Sequence, residues 1–335
     1  MTMEANTKPL HPDSWELFKG LKFAKQLTVG ETLARLGDDH PEIVAVCADL
    51  GYPTRLADFG EKYPDRFFDF GIAEKNMVTA AAGLSTTGKI PFVSTYASFL
   101  GLLCAEQIRT AVAYPNLNVR LVGTHTGIAM GFYGTSHHAT EDIAIMRSMA
   151  NMTVVSPADG ASLSELIEES VKTYKGPIYF RVSRGREPSV YEEGRSAIKN
   201  KIGKANVLKD GKDLTLIACG ITVYGALEAA HILEEEGISV RVVDMHTIKP
   251  LDEEVIRDAA IETGAIMTVE EHNIIGGLGG AVAEYLLEAG IHRKFKRHGF
   301  YDEYSLIGKP YHLYKHYQLD GEGIANVARA FIRND

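Results

Sequence analysis

Three cysteines and one tryptophan are all that 335 residues contain of either type. Cys47, Cys104 and Cys219 lie far apart among apolar or small residues, without metal-ligand spacing. An odd number of such residues suits reduced core thiols in a cytosolic protein. Basic residues are also in deficit: 35 Lys and Arg against 44 Asp and Glu give a formal net charge of −9. That balance argues against a nucleic-acid or polyanion-binding surface. The local exception, His292-Arg293-Lys294-Phe295-Lys296-Arg297-His298, reads as a solvated face or a strand edge. No apolar run approaches the ~18 residues needed to span a bilayer. Residues 1–14 are polar and lack the apolar centre of a signal peptide. A soluble cytoplasmic protein, with no membrane and no nucleic acid as partner, is the expectation. No Gly-x-Gly-x-x-Gly follows a first strand, and no phosphate-cradling Gly-rich loop ends in Lys-Ser or Lys-Thr. Gly276-Gly277-Leu278-Gly279-Gly280 lacks the required spacing and reads as a tight turn with close helix packing.

What the chain does have is alternation. Apolar runs at residues 43–47, 90–94, 119–123, 153–155 and 178–182 predict strands, and amphipathic segments at 74–85, 98–113, 139–149 and 160–173 predict helices between them. This rhythm predicts a parallel sheet covered by helices on both faces, with nearly all-apolar strands. The pattern lapses between residues 184 and 213, where charge, Gly and Pro suit a linker. It resumes with strands at 214–218, 240–243 and 266–269 and helices at 224–235, 252–263, 278–289 and 323–332. The fold class expected is α/β, with two domains of mainly parallel sheets. The boundaries read as an N-terminal extension (1–20), a first domain (21–190), a linker (191–212) and a second domain (213–335). Ligands gather at the carboxyl ends of open parallel sheets, and Tyr96, His125 and Arg184 each follow a predicted strand.

Four constellations can carry chemistry. In Asp69-Phe70-Gly71-Ile72-Ala73-Glu74-Lys75-Asn76-Met77, a carboxylate sits at the start of a predicted helix, as a capping group or as a catalytic acid-base. In Thr95-Tyr96-Ala97-Ser98-Phe99, the two aromatics are three residues apart and suit either a helix core or a slot for a flat heteroaromatic ring. The run from Thr124-His125 through Phe132-Tyr133 to His137-His138 is rich in glycine, histidine and hydroxyls without a regular period, which favours a site over a core. Its histidines suit proton shuttling or hydrogen bonds to substrate oxygens better than zinc. Arg181-Val182-Ser183-Arg184-Gly185-Arg186 reads as bidentate phosphate binding or as a salt-bridged linker.

These segments, in this order, resemble the C-terminal half of transketolase from residue 20 to the end. Gly71-Ile72-Ala73-Glu74 is similar to the family's catalytic-glutamate motif. With the preceding Tyr63-Pro64-Asp65-Arg66-Phe67-Phe68-Asp69 it also resembles 1-deoxyxylulose-5-phosphate synthases. Thr95-Tyr96-Ala97-Ser98-Phe99 corresponds to the segment that holds the aminopyrimidine of thiamine diphosphate. Ser136-His137, Glu141-Asp142-Ile143-Ala144 and Val154-Val155-Ser156-Pro157-Ala158-Asp159-Gly160 read like transketolase. So do Asp244-Met245-His246-Thr247-Ile248-Lys249-Pro250-Leu251-Asp252 and Val269-Glu270-Glu271-His272 in the second domain.

The resemblance implies a pyrimidine-binding domain followed by a transketolase C-terminal domain. Its implied activity is ketol transfer from a ketose phosphate to an aldose phosphate. It assigns Glu74 and His137 to catalysis, with Glu74 the proton partner of the pyrimidine nitrogen. Ile72, Glu74, Tyr96 and Phe99 are assigned to thiamine diphosphate, and His125, Tyr133, His137, His138 and Arg184 to the sugar. The family's Gly-Asp-Gly motif for diphosphate and Mg²⁺ does not occur in this sequence. The expectation is therefore a split enzyme in which a partner, an N-terminal transketolase subunit, holds the metal and diphosphate. Two copies of each chain would form a heterotetramer that includes self-association at the family's dimer interface. Three departures touch the substrate side. Phe132-Tyr133 replaces an acidic pair, His138 replaces a common Gln, and Gly51-Tyr52-Pro53-Thr54-Arg55 stands where a phosphate-binding Ser is expected, with Thr54 or Arg55 available to compensate. The alternatives are a beta-type 2-oxoacid dehydrogenase subunit, a deoxyxylulose-phosphate-synthase fragment and a catalytically silent scaffold.

Overall fold

The computed structural model describes residues 29–184, 187–191 and 197–333. The N-terminal extension, Gly185, Arg186 and part of the linker lie outside the described residues. In the first half, elements follow in the order α1 (Val29–Leu36), β1 (Ile43–Cys47), α2 (Ala57–Lys62), β2 (Phe67–Asp69), α3 (Glu74–Thr86) and β3 (Ile90–Tyr96). A helical stretch comes next, in which α4 (Ala105–Gln107) is flanked by π-helical turns at Phe99–Leu103 and Ile108–Ala113. Then come β4 (Arg120–Thr124), α5 (Asp142–Ser148), β5 (Thr153–Val155), α6 (Gly160–Lys172) and β6 (Ile178–Arg181). The second half runs β7 (Asn206–Lys209), β8 (Leu214–Ala218), α7 (Thr222–Glu235), β9 (Val240–Asp244), β10 (Thr247–Lys249), α8 (Glu253–Glu262), β11 (Ala265–Asn273), α9 (Leu278–Glu288), β12 (Lys294–Phe300), α10 (Pro310–His316) and α11 (Gly321–Arg333).

Two sheets organise these elements. The first has seven strands in the order β10-β5-β6-β4-β3-β1-β2, parallel except for β10. The second has five, β12-β11-β8-β9-β7, parallel except for β7. The inner strands β1, β4 and β8 are buried at every position, as expected where helices cover both faces.

Four strands lie outside the runs read as strands: β2, which adds to the edge of the first sheet beside β1, and β7, β10 and β12. β7 lies inside the stretch read as a linker and pairs antiparallel with β9. β10 leaves the second half and adds to β5 of the first sheet, with Thr247 opposite Val155. β12 places the basic cluster at the edge of the second sheet, as the strand-edge reading expected, with Lys and Arg blunting an exposed edge. One apolar cluster runs through both halves, joining Met77, Leu100 and Ile143 to Ile217, Ile256 and Leu278. The glycine run before α9 is a tight turn. Glu270 accepts hydrogen bonds from the N–H groups of Leu278 (2.7 Å) and Gly279 (2.8 Å). A Cβ on Gly277 would lie 1.9 Å from the same carboxylate.

Candidate active site

β3 and β4 run in parallel with Tyr96 opposite Thr124, and β6 flanks β4 with Gly123 opposite Arg181. Adjacent parallel strands end together, so the residues that follow them share one rim of the sheet. There the rings of Tyr96 and His125 approach to 4.6 Å between centroids, and Phe99 lies 5.6 Å from Tyr96. His137 folds back to 6.0 Å from Tyr96 and 5.3 Å from Phe99, and Tyr133 lies tilted at 5.0 Å from His137. Five of the expected site residues thus form one continuous set of rings.

His125 is held in a left-handed backbone conformation (φ 57°) and is buried. Its N–H donates to the Ser183 carbonyl at 3.3 Å, and Nδ1 lies 3.0 Å from Thr124 Oγ1. Burial, reinforced by Arg184 and His137, lowers its pKa to about 3. The imidazole is therefore neutral at physiological pH and offers one donor and one acceptor nitrogen. Burial also lowers the pKa of His137 and raises that of the Tyr96 phenol. Around the rings, Thr95 Oγ1, Ser98 Oγ and Ser183 Oγ are buried without a hydrogen-bond partner among the described residues. Such orphaned hydroxyls are rare in a closed core and suit contact with a polar ligand. Beside His125, a cavity is lined by Thr54, Arg55, Ser183, Arg184 and Glu187. The loop after β1 thus meets the ends of β4 and β6.

Glu74 is the first residue of α3 and is 9% exposed. Ala73 occupies the cap position and no side chain caps the helix, so Glu74 is not a capping group. Among the described residues its carboxylate makes no hydrogen bond or ion pair. It lies close enough to Cys104, five residues beyond Phe99, to help burial push that thiol up to about 12. Ile72 is 84% exposed. No ring contact or hydrogen bond joins Ile72 or Glu74 to the ring set among the described residues.

His138 parts from His137. It is buried, its Nδ1 hydrogen-bonds Ser305 Oγ of the second domain, and Nε2 has no partner among the described residues. No group of three or more His, Cys, Asp or Glu among the described residues could hold a metal ion. Of the arginine cluster, Arg184 lines the cavity and Arg186 lies outside the described residues. Arg181 is 3% exposed and bridges Asp142 (3.0 Å) and Glu271 (3.8 Å), so there the salt-bridged reading holds. Tyr314 was not singled out from sequence, and Glu271 appeared only within Val269-Glu270-Glu271-His272, with no role assigned to it. A further signal was a pair of acids, Glu270 and Glu271, in a strand that is buried at every position but its last.

Comparison with known proteins bears on this geometry. Residues 22–188 match the transketolase pyrimidine-binding domain, and residues 203–324 match the transketolase C-terminal domain. The chain is 41% identical to one of the subunits of the apulose-4-phosphate transketolase of Phocaeicola vulgatus, over 90% of this chain and 96% of that one. It is 37% identical to human transketolase over 93% of its own length, which spans 50% of the human chain. Among solved structures, one described as a split gene transketolase in an inactive beta4 tetramer aligns with a TM-score of 0.80 and 42% identity, covering 90% of this chain and 96% of that one. The chain belongs to the transketolase family and carries its pyrimidine-binding and C-terminal domains.

Proposed function

We propose that this chain is one subunit of a two-chain transketolase. It would supply the catalytic carboxylate and the pyrimidine pocket for moving a two-carbon ketol unit from a ketose phosphate to an aldose phosphate. The observation that carries this reading is the ring set of Tyr96, Phe99, His125, Tyr133 and His137 at adjacent strand ends. The donor set fits thiamine diphosphate. Tyr96 and Phe99 offer aromatic faces to a flat pyrimidine, and the hydroxyls of Thr95 and Ser98 are buried and unsatisfied among the described residues. When bound, thiamine diphosphate supplies the nucleophilic carbon that ketol transfer requires. Glu74 would hold a proton toward the pyrimidine ring nitrogen, and its place at a helix N-terminus would favour the carboxylate form. Ile72, exposed beside Glu74, would cover the cofactor's pyrimidine. His137 donates to substrate oxygens near the reacting carbon, and neutral His125 hydrogen-bonds the sugar. Arg184, with Arg55 across the cavity, meets the phosphate.

Mg²⁺ and the diphosphate are assigned to the partner chain. Support comes from two relatives, one described as a transketolase subunit and the other as a split gene transketolase. A heterotetramer of two copies of each chain follows, with this chain self-associating when its partner is missing. Tyr133, 55% exposed beside His137, stands in the place of an acid that contacts a sugar hydroxyl. We therefore assign an altered sugar preference, in keeping with the relative described as an apulose-4-phosphate transketolase. The division into an extension (1–20), a pyrimidine-binding domain (21–190), a linker (191–212) and a C-terminal domain (213–335) belongs to the same proposal. Isothermal titration tests it: thiamine diphosphate with Mg²⁺ binds this chain weakly alone and tightly once the partner is added. Tight, Mg²⁺-dependent binding by the chain alone would overturn the assignment of the metal and diphosphate to a partner.

A further inference from the structure

We propose that Glu271, in the second domain, is a positioning residue that fixes the loop carrying His125, Tyr133 and His137. Through it, the second domain controls a cavity whose lining, among the described residues, comes from the first. The inference rests on the reading above for the loop's chemical role, but its geometry stands independently. Glu271 is 1% exposed and lies on β11. Its Oε1 accepts the N–H of Ile128 at 2.9 Å and the hydroxyl of Tyr314 from α10. Arg181 grips the other end of the loop. Its Nη2 donates to the Ala139 carbonyl (3.1 Å) and to the Glu271 carbonyl (2.9 Å), while its Nε holds Asp142. Gly127 and Ala139 close the loop's base by exchanging backbone hydrogen bonds, each at 2.9 Å. Both roots of the loop are therefore tied to one buried cluster shared between the domains.

Packing points the same way. Ile128 and Ala129 are fully buried and belong to the apolar core of the second domain, with Phe300, Leu313 and Tyr314. Gly127 sits at φ 56°, and a Cβ there would lie 1.9 Å from the Glu271 carboxyl carbon, so the backbone runs against the carboxylate with no space for a side chain. Along β11 the residues alternate in what they serve. Glu270 caps α9 within its own domain, whereas Glu271 gives its oxygen to the site loop. Burying a carboxylate is costly, and here it is directed to a backbone amide three residues from His125.

Hydrogen–deuterium exchange on the full chain tests the proposal without requiring turnover. Glu271→Ala is expected to speed exchange in peptides covering residues 125–138 by about five- to tenfold, the worth of one lost hydrogen bond, while β1 and β8 exchange as in the wild type. Glu271→Gln keeps an acceptor oxygen for Ile128 and is expected to restore protection. Tyr314→Phe, which keeps the ring, is expected to give a smaller rise confined to the same peptides. Unchanged loop exchange in a folded Glu271→Ala chain overturns the proposal, as does a uniform loss of protection in both domains. If Glu271→Ala does not fold, Tyr314→Phe decides, and loop exchange at the wild-type rate overturns the proposal. A chain that shows the exchange pattern but no ketol transfer with any partner would defeat the functional reading and leave Glu271's role standing.

Discussion

Replacing Glu74 with Gln removes a charge and a titratable proton while keeping the heavy-atom shape. The structure sets a ceiling on the folding cost. Glu74 opens α3, is 9% exposed, caps nothing and makes no hydrogen bond or ion pair among the described residues. What is lost on folding is its favourable interaction with the helix dipole, worth about 0.3–1 kcal/mol. For a chain of 335 residues that lowers the melting temperature by roughly 0.4–1.4 °C. The effect on catalysis is of a different order. An amide cannot exchange a proton with the pyrimidine nitrogen, and losing a positioned acid-base costs about 10²–10⁴-fold in turnover. The assay pairs thermal melts of the variant with initial rates of ketol transfer in the two-chain enzyme. A small melting shift with turnover reduced at least a hundredfold, about 2.7 kcal/mol of barrier, is the expected outcome. Turnover within roughly twofold of wild type would refute the role of Glu74 and favour a silent scaffold.

Two further outcomes follow from buried groups. Burial pushes the Cys47 and Cys104 thiols up to about 12 and raises Cys219 as well. At pH 8 an aromatic disulfide reagent should label none of the three cysteines in the native chain and all three after denaturation. Prompt native labelling would contradict the packing. Asp244 is pushed from 3.8 up to about 8 by burial, against the Tyr191 hydroxyl that donates to it at 2.6 Å. The folded state therefore favours the protonated acid, and this contribution is complete below about pH 4 and lost as pH rises through about 8. Asp244→Asn should gain in melting temperature relative to wild type across that window. A difference independent of pH would show that Asp244 does not titrate there.

Legibility followed locality. β1, β5 and β8 begin and end where their apolar runs do, because central parallel strands are buried on both faces. β7, β10 and β12 are edge strands with polar or charged positions, and their pairing comes from distant segments: Thr247 opposite Val155, Asn206 opposite Asp244. Such registers leave no periodic trace in the sequence. Within the site, Tyr96, His125 and His137 were readable because strand ends and a glycine- and histidine-rich loop are local signals. Arg181 was ambiguous from sequence, since the choice between phosphate binding and a structural bridge depends on Glu271, ninety positions along the chain. Sequence separation likewise hid the hydrogen bond of Glu271 to Ile128.

The central claim is that this chain contributes half of a ketol-transfer site. Its most direct test is a rate measurement with thiamine diphosphate, Mg²⁺, xylulose 5-phosphate and ribose 5-phosphate. The chain would be assayed alone and with a co-expressed partner carrying the Gly-Asp-Gly motif, and the mixture assayed also with apulose 4-phosphate as donor. Activity in the mixture and none with this chain alone is the expected outcome. Full activity from this chain alone, or none with any sugar in a mixture that binds the cofactor tightly, would contradict it.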